Sequence, residues 1–132
     1  LSQSIARAKQ LNLMSIVCAS SIVETKSVAM MAPDMMVSEP TELIGSGQAA
    51  DMGYVEAVMK AALSVNPHIG VLVAGGVSTG EDVYKIIYAG ADATGSSSGI
   101  VMAPDPEKKI YEMLQAVRQA WDDRCLTNKR SI

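Results

Sequence analysis

A carboxylate beside a proline and a glycine-ended loop is the feature of this sequence that most suggests chemistry. Glu39 directly follows the apolar run Met35–Ser38, Pro40 comes next, and Gly45 and Gly47 end the loop. Pro40 restrains the chain just after the acid, whereas the two glycines allow the backbone angles that a closing lid requires. A base beside a mobile lid is suited to proton transfer.

Spacing alone leaves a second interpretation of Glu39 open. A carboxylate in this position also fits the first turn of a helix or an exposed ion pair, and the glycines would then be ordinary turn residues. Residue types by themselves do not decide between a catalytic and a structural carboxylate.

The Gly/Ser-rich segment Gly95–Gly99 is a second candidate for chemistry. It matches the G-x-S-x-G pattern, in which a strand-to-helix turn exposes a nucleophilic serine, here Ser97. The sequence's one histidine, His68, precedes that serine, which is opposite to the order of a hydrolase triad. A flexible linker is another alternative. The apolar helix that follows closely favours a strand-to-helix loop over both.

The histidine and the cysteines are predicted to be structural. His68 follows Asn66-Pro67 in a helix-to-strand turn, at the end of the fold away from the strand-to-helix loops. Cys18 and Cys125 lie far apart without the spacing of a zinc site, which predicts free thiols and not a disulfide. Nine Met and no Phe favour Met as a filler of the core over a promiscuous binding surface.

Length and charge limit the classes of function. A chain of 132 residues is expected to form one domain. The net charge of −3 and pI of about 5.0 provide no basic surface for nucleic acid, and no apolar run approaches the roughly 18 residues of a membrane span. We therefore expect a soluble protein. Residues 1–7 lack an initiator Met and the apolar core of a signal peptide, which suggests that the chain begins inside a longer polypeptide.

Apolar periodicity predicts that helices and strands alternate along the chain. The predicted strands are Met14–Ala19, Met35–Ser38, Ile69–Val73 and, more weakly, Ala91–Gly95. The predicted helices are Ser4–Leu11, Ile22–Met31, Met52–Val65, one that begins at Thr79, and Pro106–Trp121. Short helix-to-strand turns and longer strand-to-helix loops are typical of a parallel α/β fold.

Several of these segments together resemble archaeal triosephosphate isomerase. Glu39–Gly47 is similar to the catalytic-glutamate and lid segment of that family, and Val71–Val83 to its seventh strand, phosphate-gripping loop and next helix start. Ser98-Gly99 and Asp105–Lys108 are similar to its eighth loop and helix. The resemblance extends from the opening helix to about Val117.

The resemblance implies an α/β fold of parallel (β/α) units of a TIM barrel with about four strands. These would be units five to eight, the second half of a (β/α)8 barrel. Residues 1–121 would form this half of a single barrel domain, and residues 122–132 a C-terminal tail. The sequence departs from the family where Ala93–Ser96 replaces the usual apolar eighth strand, where the segment after Gly47 is short, and where Ser97 replaces a common Ala.

The resemblance also implies a set of site residues. Glu39 corresponds to the general base that moves a proton between neighbouring carbons through an enediolate. The phosphate contacts are chiefly main-chain N–H groups, and they correspond to Ile44, Gly45, Gly76, Ser97 and Ser98. A phosphate site in the loops after strands seven and eight is also a general feature of the barrel. Neither a metal nor an organic cofactor is implied.

By the same resemblance, the family's lysine and electrophilic histidine would lie outside this chain, in the first half of the barrel. The substrate would be a small phosphorylated triose, used in cytoplasmic glycolysis and gluconeogenesis. The chain would form a homo-oligomer or pair with the missing half-barrel, because two sheet edges are left open. The alternatives are another phosphosugar isomerase or aldolase on the same barrel, and a non-catalytic phosphate-binding half-barrel.

Overall fold

A computed structural model describes residues 1–127 and shows one parallel sheet flanked by helices. The strands are β1 (Ile16–Ala19), β2 (Met35–Ser38), β3 (Gly70–Val73) and β4 (Ala93–Thr94), paired in that order. The helices are α1 (Ser2–Gln10), α2 (Ile22–Met30), α3 (Met52–Leu63), α4 (Gly80–Tyr88), α5 (Ser98–Val101) and α6 (Pro106–Leu126), with a 3-10 turn at Thr41–Leu43. The predicted α/β fold with four parallel strands is confirmed.

Side-chain caps fix where most of the longer helices begin. The side chains of Ser21, Asp51, Thr79 and Asp105 each accept a hydrogen bond from a backbone N–H in the first turn of α2, α3, α4 and α6, respectively. Such caps satisfy N–H groups that have no partner within the helix. Each of these helices therefore starts at a defined residue after its strand-to-helix loop.

The strands bury one face and leave the other more exposed. Val17, Met36 and Val71 lie side by side in the parallel register and are buried against the helices. Successive side chains of a strand point to opposite faces of the sheet, so the neighbours of these residues point to the other face. That opposite face, here called the open face, consists of Ile16, Cys18, Met35, Val37, Leu72 and Ala93.

Two aspartates hold the strands together at the end of the sheet where the strands begin. The carboxylate of Asp34 accepts hydrogen bonds from the N–H and the hydroxyl of Ser15, both at 2.7 Å, which ties β2 to β1. Asp92 accepts one from the N–H of Val71 at 3.0 Å, which ties β4 to β3. The bonds from Ser15 keep the pKa of Asp34 below its ordinary value. These two carboxylates are structural.

The end of the chain differs from the sequence prediction. The last helix continues beyond Trp121 to Leu126, so residues 122–126 are helical and not a tail. The helix continues because of a tertiary contact. Arg124, in its last turn, is buried against the end of α4. Residues 128–132 of the predicted tail lie outside the described residues. Within residues 1–127, no helix is long and apolar enough to cross a membrane.

Candidate active site

A small cavity opens at the end of the sheet where the strands finish. Its volume is about 160 Å³. It is lined by Glu39, Ile44, Gly45, Gly75, Gly76, Val77, Gly95, Ser96, Ser97 and Ser98. All six residues predicted from the sequence are in this lining, although they come from three loops. Their roles stay predictions.

Glu39 is held by the strand that precedes it. Its N–H donates to the carbonyl of Ala19 at 2.9 Å, which continues the pairing of β1 and β2, and its side chain is half-buried. Gly75, with φ of +97°, lies beside it, and a Cβ there would come within 3.4 Å of the Glu39 Cγ and 3.2 Å of the Leu43 Cβ. A side chain at this position would therefore crowd Leu43 most closely, in a backbone conformation that glycine alone adopts readily.

The loop after Glu39 has the backbone that a lid requires. Gly45 and Gly47 both have φ of +71°, and a Cβ added to either would meet nothing within 4 Å. Between them, the Ser46 hydroxyl donates to the carbonyl of Leu43 at 2.8 Å and accepts from the N–H of Gln48 at 3.0 Å. The loop after β2 is thus an exposed turn with its own hydrogen bonds, and its tip does not pack on the body of the protein.

The loop after β3 touches the end of the loop after β2 through Gly76. This glycine has φ of +68°, and a Cβ on it would overlap the carbonyl of Gln48. On its other side the loop is fixed by Asp82, whose carboxylate accepts from the N–H groups of Ser78 at 3.1 Å and Thr79 at 2.9 Å. The loop after β3 therefore lies between Gln48 and the start of α4.

The loop after β4 brings three serines to the cavity. Ser97 and Ser98 are exposed and lead into α5, whose first N–H groups have no partner within the helix. Ser96 donates its hydroxyl proton to the carbonyl of Val77 at 2.5 Å. Sequence reasoning did not identify Gly75 and Ser96 as site residues. Gly75 had a signal in its pairing with Gly76, and Ser96 had one in its place within the Gly/Ser-rich segment Gly95–Gly99.

The cavity lining combines one carboxylate with several small residues. In the part of the chain that the structure describes, Glu39 is the one ionisable side chain in the lining. Glycines and small serines let main-chain N–H groups approach a bound phosphate closely. Residues 1–127 hold no group of three or more side chains that could bind a metal ion. The arrangement can place one carboxylate beside a bound anion.

The remaining candidates lie elsewhere. His68 is exposed in the turn between α3 and β3, at the end of the sheet opposite the cavity, as expected. It cannot act as base to Ser97 across the sheet, which argues against the nucleophile-elbow interpretation. Cys18 and Cys125 are free thiols and exposed.

Comparisons with known proteins place the chain among enzymes about twice as long. Triosephosphate isomerase of Methanothermobacter thermautotrophicus is 34% identical over 116 residues, 86% of this chain and 51% of the enzyme. That of Sulfurisphaera tokodaii is 37% identical over 122 residues, 91% and 53% of the two chains. The chain thus spans about half the length of these relatives. No model of a protein family matches it.

Solved structures agree at the level of fold. The native KDPGal structure superposes with a TM-score of 0.68 and 21% identity, over 92% of this chain and 56% of that chain. Thiamine phosphate pyrophosphorylase from Pyrococcus furiosus gives a TM-score of 0.64 and 20% identity, over 88% and 55%. These are TIM barrels, of which this chain matches about half. Over about half of their length, the archaeal triosephosphate isomerases are what this chain is similar to in sequence.

Proposed function

We propose that this chain is the second half of the barrel of a triosephosphate isomerase and supplies its catalytic base. The observation that carries the proposal is the cavity that joins Glu39 to the lid and to the loops after β3 and β4. Carboxyl ends of barrel strands are where barrel enzymes have their active sites, and phosphate sites in the last two loops are frequent there.

The proposed reaction interconverts D-glyceraldehyde 3-phosphate and dihydroxyacetone phosphate. Glu39 takes a proton from the carbon next to the carbonyl, and the electron pair moves to the carbonyl oxygen to give an enediolate. A proton moves from the substrate hydroxyl to the former carbonyl oxygen, and Glu39 returns its own proton to the former carbonyl carbon, so that the new carbonyl forms at the carbon that lost its proton. The step needs no cofactor, because no electrons are gained or lost overall. A Glu base that works under a closing loop is the arrangement already established for this enzyme.

The phosphate of the substrate is proposed to bind to backbone N–H groups. Gly76 would contribute from the seventh loop, Ser97 and Ser98 from the eighth, and Ile44 and Gly45 from the lid once it closes. A dianion held by N–H groups needs no lysine in this half of the site. Closure of the lid would exclude water while the enediolate exists.

The other half of the barrel is proposed to supply the lysine and the electrophilic histidine. Within residues 1–127, the cavity lining has no side chain that could polarise the substrate carbonyl as a cation or an imidazole. A complementary half-barrel, in the same polypeptide or as a partner, would bring those groups to the cavity. Homo-oligomers and a cytoplasmic place in glycolysis and gluconeogenesis belong to the same proposal.

The same observation favours one alternative, a half-barrel that binds phosphate without catalysis. A cavity with one carboxylate and no electrophile can bind a phosphate without isomerising a sugar. A further alternative is a different phosphosugar isomerase or aldolase, because phosphate contacts say little about the carbon skeleton.

The decisive experiment joins this chain to the half that it lacks. The chain would be fused behind the part of the Methanothermobacter enzyme that it does not match, and isomerisation of glyceraldehyde 3-phosphate followed by a coupled assay. Glu39→Gln should lower kcat by about a hundredfold or more, because a general base typically accelerates a reaction by at least that factor. Glu42→Gln is the matched control, since this exposed acid three residues away has no proposed role.

Each outcome selects one function. Equal activity of the Glu39→Gln and Glu42→Gln proteins would contradict the assignment of the base. Faster turnover of a four-carbon phosphosugar would favour a different isomerase or aldolase. Phosphate binding by a folded fusion that isomerises neither sugar would favour the non-catalytic half-barrel.

A further inference from the structure

The hydroxyl of Ser96 joins the two loops on which the proposed phosphate site is built. Its Oγ donates a hydrogen bond of 2.5 Å to the carbonyl of Val77, so that the eighth loop is tied to the seventh. Both residues line the cavity that also contains Glu39. The bond is partly buried, so water competes with it less than at an exposed site.

The geometry of this bond argues against direct contact between Ser96 and a phosphate. A serine hydroxyl has a single proton to donate. In Ser96 that proton is directed to the Val77 carbonyl, so the oxygen has only lone pairs to present to the cavity. Lone pairs repel a phosphate dianion. Any effect of Ser96 on phosphate must therefore act through the position of the loops.

Gly99 packs the same junction from the other side. A Cβ on Gly99 would overlap the carbonyl of Val77 and would lie 2.6 Å from the Ser96 Oγ and 2.8 Å from the Ser78 Cα. The eighth loop thus approaches the seventh so closely that only a hydrogen atom fits between them. Around Val77 the two loops have little freedom to separate as long as the Ser96 bond is made.

We propose that Ser96 is a positioning residue, which fixes the N–H groups of Gly76 relative to those of Ser97 and Ser98 and so sets the affinity for a phosphate-bearing ligand. The inference rests on the proposed function, because it takes phosphate as the ligand. Donors to an oxyanion work best at 2.7–3.1 Å, so a small separation of the loops weakens several bonds together.

The test compares three variants of the full chain by titration with inorganic phosphate, followed by the amide NMR signals of the three loops. Ser96→Ala removes the bond, and Ser96→Thr keeps the hydroxyl. A neighbouring cavity of about 300 Å³ that Ser96 also lines gives the added methyl group room. Thr94→Val is the matched control, because Thr94 also donates from β4 to a β3 carbonyl, that of Val73 at 2.8 Å, but does not line the site.

Ser96→Ala is expected to raise the Kd for phosphate about fivefold to tenfold, which corresponds to the loss of one hydrogen bond. Ser96→Thr should stay within about twofold of the wild type by the same reasoning. Thr94→Val should lower the Tm without changing the Kd, which separates positioning from general stability.

Three results would overturn the proposal, and they differ in whether the proposed function is overturned with it. An unchanged Kd in Ser96→Ala, or an equal rise in Thr94→Val, would remove the positioning role and leave the proposed function standing. A wild-type chain that binds no phosphate would overturn both, since every loop of the proposed site is present in this chain.

Discussion

Gly76 is the residue at which the loop after β3 touches the end of the loop after β2. Its φ of +68° is nearly the same as the +71° of Gly47, so an alanine would be strained in either position. Their surroundings differ. A Cβ at Gly47 meets open space, whereas a Cβ at Gly76 would overlap the Gln48 carbonyl and lie 2.9 Å from the Gln48 nitrogen. Alanine substitutions at Gly47 and Gly76 therefore separate the cost of backbone strain from the cost of steric overlap.

We expect Gly76→Ala to cost more than Gly47→Ala. The Gly47 variant should lose about 1–2 kcal/mol of unfolding free energy, the cost of a left-handed residue with a side chain. The Gly76 variant should lose that amount and, in addition, displace the end of the lid and weaken phosphate binding. Urea unfolding and the phosphate titration measure the two effects. Equal losses in both variants would show that Gly76 does not pack against Gln48.

At the scale of elements, the start of α4 is held by a reciprocal cap. The Thr79 hydroxyl accepts from the N–H of Asp82 at 3.1 Å, and the Asp82 carboxylate accepts from the N–H of Thr79 at 2.9 Å and of Ser78 at 3.1 Å. Burial raises the pKa of Asp82, but these hydrogen bonds together outweigh it and leave the pKa below the ordinary 3.8. The charged form of Asp82 therefore stabilises the native state.

This cap predicts that acid lowers the stability of the loop after β3 and of the start of α4. Because the pKa of Asp82 is lower in the folded than in the unfolded chain, its contribution is complete above pH 3.8 and is lost as the pH falls through the folded value. Asp82→Asn should reduce the difference in unfolding free energy between pH 7 and about pH 3. Glu81→Gln, at the exposed neighbour, is the control. An unchanged pH dependence in Asp82→Asn would contradict the prediction.

The end of α6 is anchored to α4 by a buried arginine. Arg124 is 3% exposed and donates through Nη1 to the carbonyls of Ile87 at 3.0 Å and Ala91 at 3.1 Å. Its guanidinium also lies 4.8 Å from the ring centre of Trp121. A cation at the last carbonyls of a helix is favoured by the helix dipole. The side chain therefore holds the last helix against the end of α4 and the strand that follows.

We expect Arg124→Ala to destabilise the chain by about 2–4 kcal/mol, through lost hydrogen bonds and packing. Arg118→Ala on the same helix is the control. Arg118 pairs with Asp122 at 2.8 Å but is exposed, so its removal should change little. Chemical denaturation of both variants provides the comparison. Similar losses in the two variants would show that Arg124 is not the anchor.

At the scale of the whole molecule, the open face of the sheet is an apolar surface that is only partly covered. Leu72 and Val37 are neighbours on it in the parallel register, and both are partly exposed. Ile16, at the edge strand, is 55% exposed. In a closed barrel the corresponding side chains fill the interior. The complementary half that we propose would cover this face and pair with β1 and β4.

Leu72→Gln should therefore weaken association with the complementary half about tenfold or more, since burial of one leucine is worth roughly 1.5–3 kcal/mol. The stability of the chain alone should change little, because Leu72 is already partly exposed. Val23→Gln, 76% exposed on α2, serves as control. Analytical ultracentrifugation of the mixtures gives the Kd. Equal binding by both variants would show that the open face is not the contact.

Local patterns were enough to predict the alternation of the elements. The four strands were recognised because apolar runs such as Met35–Ser38 mark buried β-structure. Lid glycines are recognisable from sequence because a positive φ is a property of single residues. Arg124 was missed because its partners, Ile87 and Ala91, are 37 and 33 residues away, and a mixed polar segment resembles a tail.

The sequence by itself determined the order of strands and helices, the acid at the end of β2 and the flexible backbone after it, since these depend on neighbours within a few residues. Tertiary structure alone decided that Gly76 touches Gln48 and that Ser96 holds Val77. Contacts between loops depend on the order and register in which strands pair, and no periodicity along the chain encodes them. The physical reason is range: hydrogen-bonding and burial patterns repeat over a few residues, whereas the cavity joins segments separated by tens of residues.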